Sequence, residues 1–411
     1  MPRPSRRLYP SGLLATAVAA LALVTAVLVT TAAGTASPYD AARARATVGA
    51  EHETLQRDTD AVLAAGTVGV LARARSAAGT TTAHAGTARL DRSLPIPHGS
   101  RWRIGSTTKT FVATVVLQLV GEGRLHLDDT VEHLLPGVVT GNGNDGGRIT
   151  VRHLLQHTSG LFDHYGDADA WPQFTDAAAW RAHRFRTYTA AEMVSVALRH
   201  PPDFAPGGGW GYSNTNYELL AMIIHRTTGR TWQTEVTTRI IRRLDLRDTT
   251  APTTNPSIPR PHPHAYRAFP DEPAPVDVTF FDPSNSDSAG AMIASAHDLD
   301  HFLTALLTGR LLAPPQLAEM TRTVPTAGDV QAGWPGSRYG LGLMWFPTSC
   351  GGYWGHAGDT FGFVTRTGVT ADTARGFTVM TTTTATERTD AAITTLAEHT
   401  LCPHRTPPPR R

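Results

Sequence analysis

Ser106 and Lys109 stand three residues apart in Ser106-Thr107-Thr108-Lys109. On a helix that spacing puts a hydroxyl and an amine on one face. A serine hydroxyl is a weak nucleophile until a base removes its proton. A lysine can be that base when its pKa is depressed, whereas an arginine keeps its proton in a protein. Lys109 is the chain's one lysine; every other member of the 37 Lys+Arg is arginine. Two readings of that fact stand side by side: chance survival in an arginine-biased composition, or a task only an amine can perform. Ser106 is expected at the start of a helix, where unpaired backbone N–H groups favour developing negative charge. The competing reading makes Ser106 a helix cap and Lys109 a surface residue.

A second candidate follows a glycine-rich stretch. Pro206-Gly207-Gly208-Gly209 leads into Gly211-Tyr212-Ser213-Asn214, which can hold a phenol and an amide at a cleft edge. A phenol beside an ammonium loses its proton more readily and can relay it. Taken alone, Tyr212 reads as an ordinary loop tyrosine. A third candidate is His356-Ala357-Gly358, expected between two strands. Glycine there would let a substrate backbone approach an edge strand, which could offer an N–H to an oxyanion. His356 alone reads as a structural histidine, one of 18. His153 and His157 have the i, i+4 spacing of metal ligands, but no H-E-x-x-H pattern surrounds them, so they take a structural reading and no metal is expected.

The rest of the chain bounds what these groups can serve. With 411 residues and 41% hydrophobic composition it can bury a large core, as one domain or two packed ones. A formal net charge of +2, with both signs interspersed, gives no nucleic-acid footprint. Arg3, Arg6 and Arg7 precede an apolar run from Leu13 to Val29, and Gly34-Thr35-Ala36 suits a small-x-small cleavage site. Residues 1–36 are therefore expected to be a signal peptide or a membrane anchor, with the globular part outside the cytoplasm. Cys350 and Cys402 are expected to form one disulfide in an oxidising compartment, the alternative being two free buried thiols. Residues 403–411, rich in Pro and Arg, read as a disordered tail.

Hydrophobic periodicity places the elements that must carry these groups. A helix is expected over 46–65, then strand-like runs over 67–74 and 80–90, and a helix over 107–120 that is apolar on most faces. Helices follow at 149–156, 217–227 and 291–307. Residues 141–147 read as a flexible Gly/Asn/Asp insertion and 252–275 as a proline-rich loop. Strands over 339–346, 352–356, 361–366 and 376–382 precede a closing helix over 389–401. The order implies an α+β fold: an antiparallel sheet flanked by helices and built from both ends of the chain, 46–104 and 285–402, with a mainly helical domain, 105–284, inserted between them.

In this order and spacing, S-x-x-K, Y-x-N and H-x-G resemble the three motifs of the serine β-lactamase and penicillin-binding superfamily. The resemblance is closest to secreted D-alanyl-D-alanine carboxypeptidases and class C β-lactamases. It runs from about Val68 to Cys402, through His157-Thr158-Ser159-Gly160-Leu161, Tyr212-Ser213-Asn214-Thr215-Asn216-Tyr217 and Ser288-Ala289-Gly290. The cysteine pair resembles the disulfide of the actinomycete-type carboxypeptidase. The resemblance implies that Ser106 forms an acyl-enzyme and that Lys109 and Tyr212 share the acid–base work without a cofactor. It also implies that Asn214 orients the substrate amide, and that the N–H groups of Ser106 and Asp359 form the oxyanion hole. His356, Ala357, Gly358 and Asp359 would line the substrate-binding strand. The substrate implied is a small peptide or β-lactam-like molecule, handled by a monomer. Reading it as a carboxypeptidase leaves two gaps. Hydroxyl residues usual in the third motif are replaced by Ala357 and Asp359, and 341–355 contains no arginine to hold a carboxylate. Arg366 is the expected substitute. A β-lactamase, an esterase or amidase, and a slowly deacylating penicillin sensor are the alternatives.

Overall fold

The computed structural model describes residues 38–403. The apolar run at 13–29, the expected leader over 1–36 and all of the expected tail but Pro403 lie outside the described residues. Among the described residues no helix is long and apolar enough to cross a membrane. Residues from Arg43 onward form one compact unit; the unit before it contributes only the first turn of α1 to the described chain.

Helix α1 (Pro38–Ala64) leads into the hairpin β1 (Gly69–Ser76) and β2 (Gly79–Gly86). Helices α2 (Thr108–Gly121), α3 (Thr215–Thr228) and α4 (Ala296–Leu307) dominate the middle. Six strands follow: β3 (Val324–Pro325), β4 (Arg338–Tyr339), β5 (Met344–Phe346), β6 (Tyr353–Asp359), β7 (Val364–Thr370) and β8 (Gly376–Thr381). Helix α5 (Glu387–Leu401) closes the chain. The strands form one antiparallel sheet ordered β2-β1-β8-β7-β6-β5-β4-β3. Val70 pairs with Thr381, so the first strand joins the last and both ends of the chain build one sheet, as expected.

Both sheet faces are covered. On one, Leu55 and Val62 of α1 and Ile393 and Leu396 of α5 meet Val70, Ala72, Phe377 and Val379. On the other, α4 packs Leu299, Phe302 and Leu303 toward Leu71, Val369 and Met380. Alternate strand residues face opposite layers, so each strand feeds both cores. Helix α2 lies behind α4 and is buried on nearly every face; Phe111 stacks on Phe302 with ring centroids 3.6 Å apart. This all-round burial explains its lack of an apolar stripe.

Several boundaries differ from the sequence expectation. The run 339–346 is two strands, because Gly342 turns at φ 73° with its α-carbon against Ala113 and the Tyr217 hydroxyl, leaving no room for a side chain. The helix expected from Ala291 starts at Ala296. Ile293–Ser295 pairs instead with Arg101–Arg103, and the Ser295 side chain accepts the Asp298 N–H as the N-cap. Residues 141–147 form part of a small ordered hairpin, Thr140–Gly141 with Asn144–Asp145, tied down by the Asn144 side chain on the His200 carbonyl. His157 ends the short helix Val151–Gln156 in the left-handed conformation, so His153 and His157 do not share a helical face. Among the described residues no His, Cys, Asp or Glu group could hold a metal. Cys350 and Cys402 form the expected disulfide, tying the segment before β6 to the end of α5.

Candidate active site

Ser106 sits in a single 3-10 turn, Gly105–Thr107, that runs directly into α2. Gly105 adopts φ +54°, and a Cβ there would come within 2.6 Å of the Asp359 nitrogen. Gly358 is equally constrained: a Cβ would lie 2.0 Å from the Ile104 carbonyl oxygen. Two glycines thus let β6 press against the turn that carries the nucleophile. The glycine of His356-Ala357-Gly358 admits the protein's own backbone, and the motif lies inside β6 rather than between strands. That corrects the expectation of a glycine that admits a substrate backbone: Gly358 is here a packing requirement.

The amine of Lys109 is fully buried and meets three oxygens: Ser106 Oγ at 3.1 Å, Asn214 Oδ1 at 2.8 Å and the Ala289 carbonyl at 2.8 Å. Neither the surface-lysine nor the helix-cap reading survives, since Ser106 makes no capping bond. Burial lowers the Lys109 pKa to about 7, against the nearby charges of Asp163 and Glu218, which favour the ammonium. Of the three partners, the Asn214 and Ala289 oxygens can only accept; Ser106 Oγ can also donate. When the amine is neutral, its two remaining N–H groups satisfy the two pure acceptors. Its lone pair is then left facing the serine hydroxyl. In that state the contacts direct the Ser106 proton to Lys109.

Asn214 is locked in this orientation. Its Nδ2 donates to Asp163 Oδ2 at 2.8 Å, and its backbone N–H donates to Asp163 Oδ1 at 3.3 Å. The oxygen and one N–H of the amide are therefore used inside the protein, leaving the second N–H for the substrate contact that the resemblance implies. Asp163 itself was missed by sequence reasoning. The only available signal was its place two residues beyond the familial His157-Thr158-Ser159-Gly160-Leu161 stretch.

Tyr212 hydrogen-bonds Ser106, and its ring lies 4.8 Å from the Lys109 nitrogen. Burial pushes its pKa well above the ordinary phenol range, and the bond to Ser106 offsets only part of that. The expected easing of its ionisation is absent: it rests as a neutral phenol able to donate, while Lys109 is the group that titrates near neutrality. His157 supports it, with ring centroids 4.3 Å apart, and accepts the Ser213 N–H on Nδ1.

His356 is buried next to Tyr339. Its Nδ1 faces the Ala357 carbonyl, an acceptor only, so Nδ1 carries the hydrogen and Nε2 accepts from the Tyr339 hydroxyl at 2.9 Å. Burial pushes its pKa down to about 3, so it is neutral. Ala357 lies opposite Arg366 on β7. The Arg366 guanidinium is buried, paired with Asp359 at 3.1 Å and Asp390 at 2.8 Å. The expectation that Arg366 offers a charge to a substrate carboxylate is corrected: two carboxylates already hold it.

Thr360 N–H donates to the Phe363 carbonyl across the β6–β7 turn at 2.9 Å. Successive strand N–H groups alternate sides, so that of Asp359 points the other way, toward the Ser106 turn. A nucleophile, a base confined to it, a neutral phenol and a backbone N–H directed at the nucleophile turn make an acyl-transfer site.

The Beta-lactamase family profile matches residues 55–401. The chain belongs to the β-lactamase family. It is a serine hydrolase of the β-lactamase and penicillin-binding superfamily. A D-stereospecific amidohydrolase from Streptomyces sp. shares its fold with a TM-score of 0.77 and 39% identity, over 86% of this chain and 99% of that one. A D-amino acid amidase from Ochrobactrum anthropi SV3 gives 0.71 and 26%, over 84% and 99%. Among curated relatives, Penicillin-binding protein 4* of Bacillus subtilis is 31% identical over 40% of this chain and 33% of its own length. The chain therefore spans about a third of that relative. Esterase EstB of Burkholderia gladioli is 28% identical over 62% of this chain and 69% of its own.

Proposed function

We propose that this β-lactamase-family chain hydrolyses amide bonds of D-aminoacyl substrates whose leaving group is uncharged. Neutral Lys109 takes the Ser106 proton as Oγ attacks the carbonyl carbon. The oxyanion rests on the N–H groups of Ser106 and Asp359. Tyr212, with Lys109 behind it, hands a proton to the departing nitrogen, leaving an ester on Ser106. Water then attacks that ester with the same pair as base, releasing the D-amino acid.

One observation carries the choice of substrate. The leaving group must lie within reach of Tyr212, toward the His356 end of β6. The basic group that the sequence offered for a terminal carboxylate, Arg366, is held by Asp359 and Asp390, and the neighbouring His356 is neutral. An anionic leaving group would meet the cluster of Asp359, Arg366 and Asp390, in which two carboxylates share one guanidinium. This favours an amidase over the D-alanyl-D-alanine carboxypeptidase that the motifs imply. The two D-specific amide hydrolases of similar structure support it. The disulfide supports export from the cytoplasm.

The test compares D-phenylalanine amide, its L isomer and a D-alanyl-D-alanine peptide with a free carboxylate. The D-amide is expected to turn over about tenfold or more faster than either of the others. Faster release of D-alanine from the carboxylate peptide would return the assignment to a carboxypeptidase.

A further inference from the structure

A cavity of about 130 Å³ opens beside the oxyanion-hole strand, at the hairpin Asp359–Phe361. Tyr165, Phe174, Phe281 and Phe361 wall it, and Ser286, Thr360, Arg267 and Asp359 supply its polar groups; the Asp359 carboxylate is paired with Arg366, which leaves Arg267 as the charge in the lining without an ion-pair partner among the described residues. Its position decides which part of a substrate it meets. In the proposed reaction the leaving group takes its proton from Tyr212 and so lies at the Tyr212 and His356 end of β6. The acyl group bonded to Ser106 therefore runs toward the other end, where the cavity begins.

Arg267 is the unusual member. It sits on Tyr266–Arg267, a two-residue strand paired with Val276–Asp277 inside the proline-rich stretch 252–275 and its edge. It is half-buried, its Nε has no hydrogen-bond partner, and no carboxylate pairs with its guanidinium among the described residues. Its neighbours are the rings of Phe269 at 5.4 Å and Phe361 at 5.7 Å, distances at which a cation–π contact is weak. Arg366, nearby in the site, is held by two carboxylates; Arg267 has none. A desolvated guanidinium without an anion is costly, and a ligand carboxylate is its natural complement in charge and shape. The Ser286 hydroxyl, 2.9 Å from the Tyr165 hydroxyl, stands in the same cavity as a further polar group.

We infer that this cavity is the acyl-side specificity pocket and that it takes a short side chain ending in a carboxylate, as in a D-glutamyl or D-aspartyl group. The aromatic walls cover the methylenes and Arg267 pairs with the terminal anion. A cavity near 150 Å³ holds a benzene ring, so a bare aromatic side chain competes on size and is separated by charge. The inference rests on the acyl-enzyme reading of Ser106.

The experiment measures kcat/KM for D-glutamyl, D-glutaminyl and D-phenylalanyl anilides, with wild type and with R267Q and R267K. D-glutamyl is expected to exceed the isosteric D-glutaminyl by about tenfold or more. R267Q should erase that ratio by lowering D-glutamyl turnover about tenfold more than D-glutaminyl turnover, and R267K should restore part of it. Equal rates for the two, a D-phenylalanyl preference that persists in R267Q, or an equal loss on all three substrates overturns the inference. Thermal unfolding of R267Q checks that it folds. Should no anilide turn over, the amidase reading fails first. Binding of free D-glutamate to the S106A protein then decides the pocket on its own, since affinity that is absent, or unchanged by R267Q, sinks it.

Discussion

Asp163 accepts the Asn214 side-chain N–H at 2.8 Å, and this turns the Asn214 carbonyl oxygen toward Lys109, also at 2.8 Å. A flipped Asn214 would set its NH2 against the ammonium and its oxygen against a carboxylate. Asp163 is thus a positioning residue, acting on the base through the amide. Its charge also raises the Lys109 pKa against the larger lowering by burial.

Two substitutions separate those effects. Asp163→Asn can still accept from Asn214 but carries no charge. It should keep kcat above neutrality and move the acidic limb of the pH–rate profile to lower pH. Asp163→Leu removes the acceptor and should cost about tenfold to a hundredfold in kcat/KM at every pH. A pair of variants with superimposable profiles would show that Asp163 does not orient Asn214.

The pH dependence of acylation follows from Lys109. The amine must be neutral to accept the Ser106 proton, so kcat/KM should rise through about pH 7 and then level. Lys109→Arg keeps the charge but cannot release the proton. It should slow labelling of Ser106 by a fluorescent penicillin or an aryl ester by about a thousandfold. Labelling at the wild-type rate would remove Lys109 from the mechanism.

The same shift makes a stability prediction. The native pKa of about 7 lies below the ordinary 10.5, so between those values the unfolded chain binds more protons and stability rises with pH. The penalty of the buried ammonium is fully present below about 7 and fades toward 10.5, an effect of at most about 5 kcal/mol. Denaturant titrations of wild type and Lys109→Met across that range should show wild type gaining on the variant as pH rises. A constant difference would mean that the amine is not desolvated.

Gly358→Ala tests the contact between β6 and the nucleophile turn. Its Cβ would sit 2.0 Å from the Ile104 carbonyl oxygen, forcing the Asp359 N–H away from Ser106. Acylation should drop by about a hundredfold while near-UV circular dichroism keeps its native form. Full activity would mean that the oxyanion is held elsewhere.

The disulfide closes a sequence separation of 52 and lies outside the catalytic contacts. Cys350→Ser with Cys402→Ser should lower stability by about 4 kcal/mol on the chain-entropy account. Turnover at 25 °C should be unchanged, as checked by denaturant melts and steady-state rates on one preparation.

Much of this was written in local sequence. A sole lysine three residues after Ser106, a tyrosine and asparagine behind glycines, and a sheet assembled from both termini were all legible, because helical and strand periodicities and S-x-x-K spacing are local properties. What the sequence left open depended on distance. Whether Arg366 was free or held could not be seen, since its partners Asp359 and Asp390 are 7 and 24 residues away and meet it only across β6, β7 and α5. Tyr212 could be placed near an ammonium, but only packing showed that desolvation, the largest effect on its proton, outweighs the hydrogen bond to Ser106. Asp163 and Arg267 carried no motif at all; folding gave one a partner and left the other without one. Residue type thus determined which reaction was within reach. The tertiary structure determined which charges remain uncompensated, because charge pairing and burial are properties of space rather than of order along the chain.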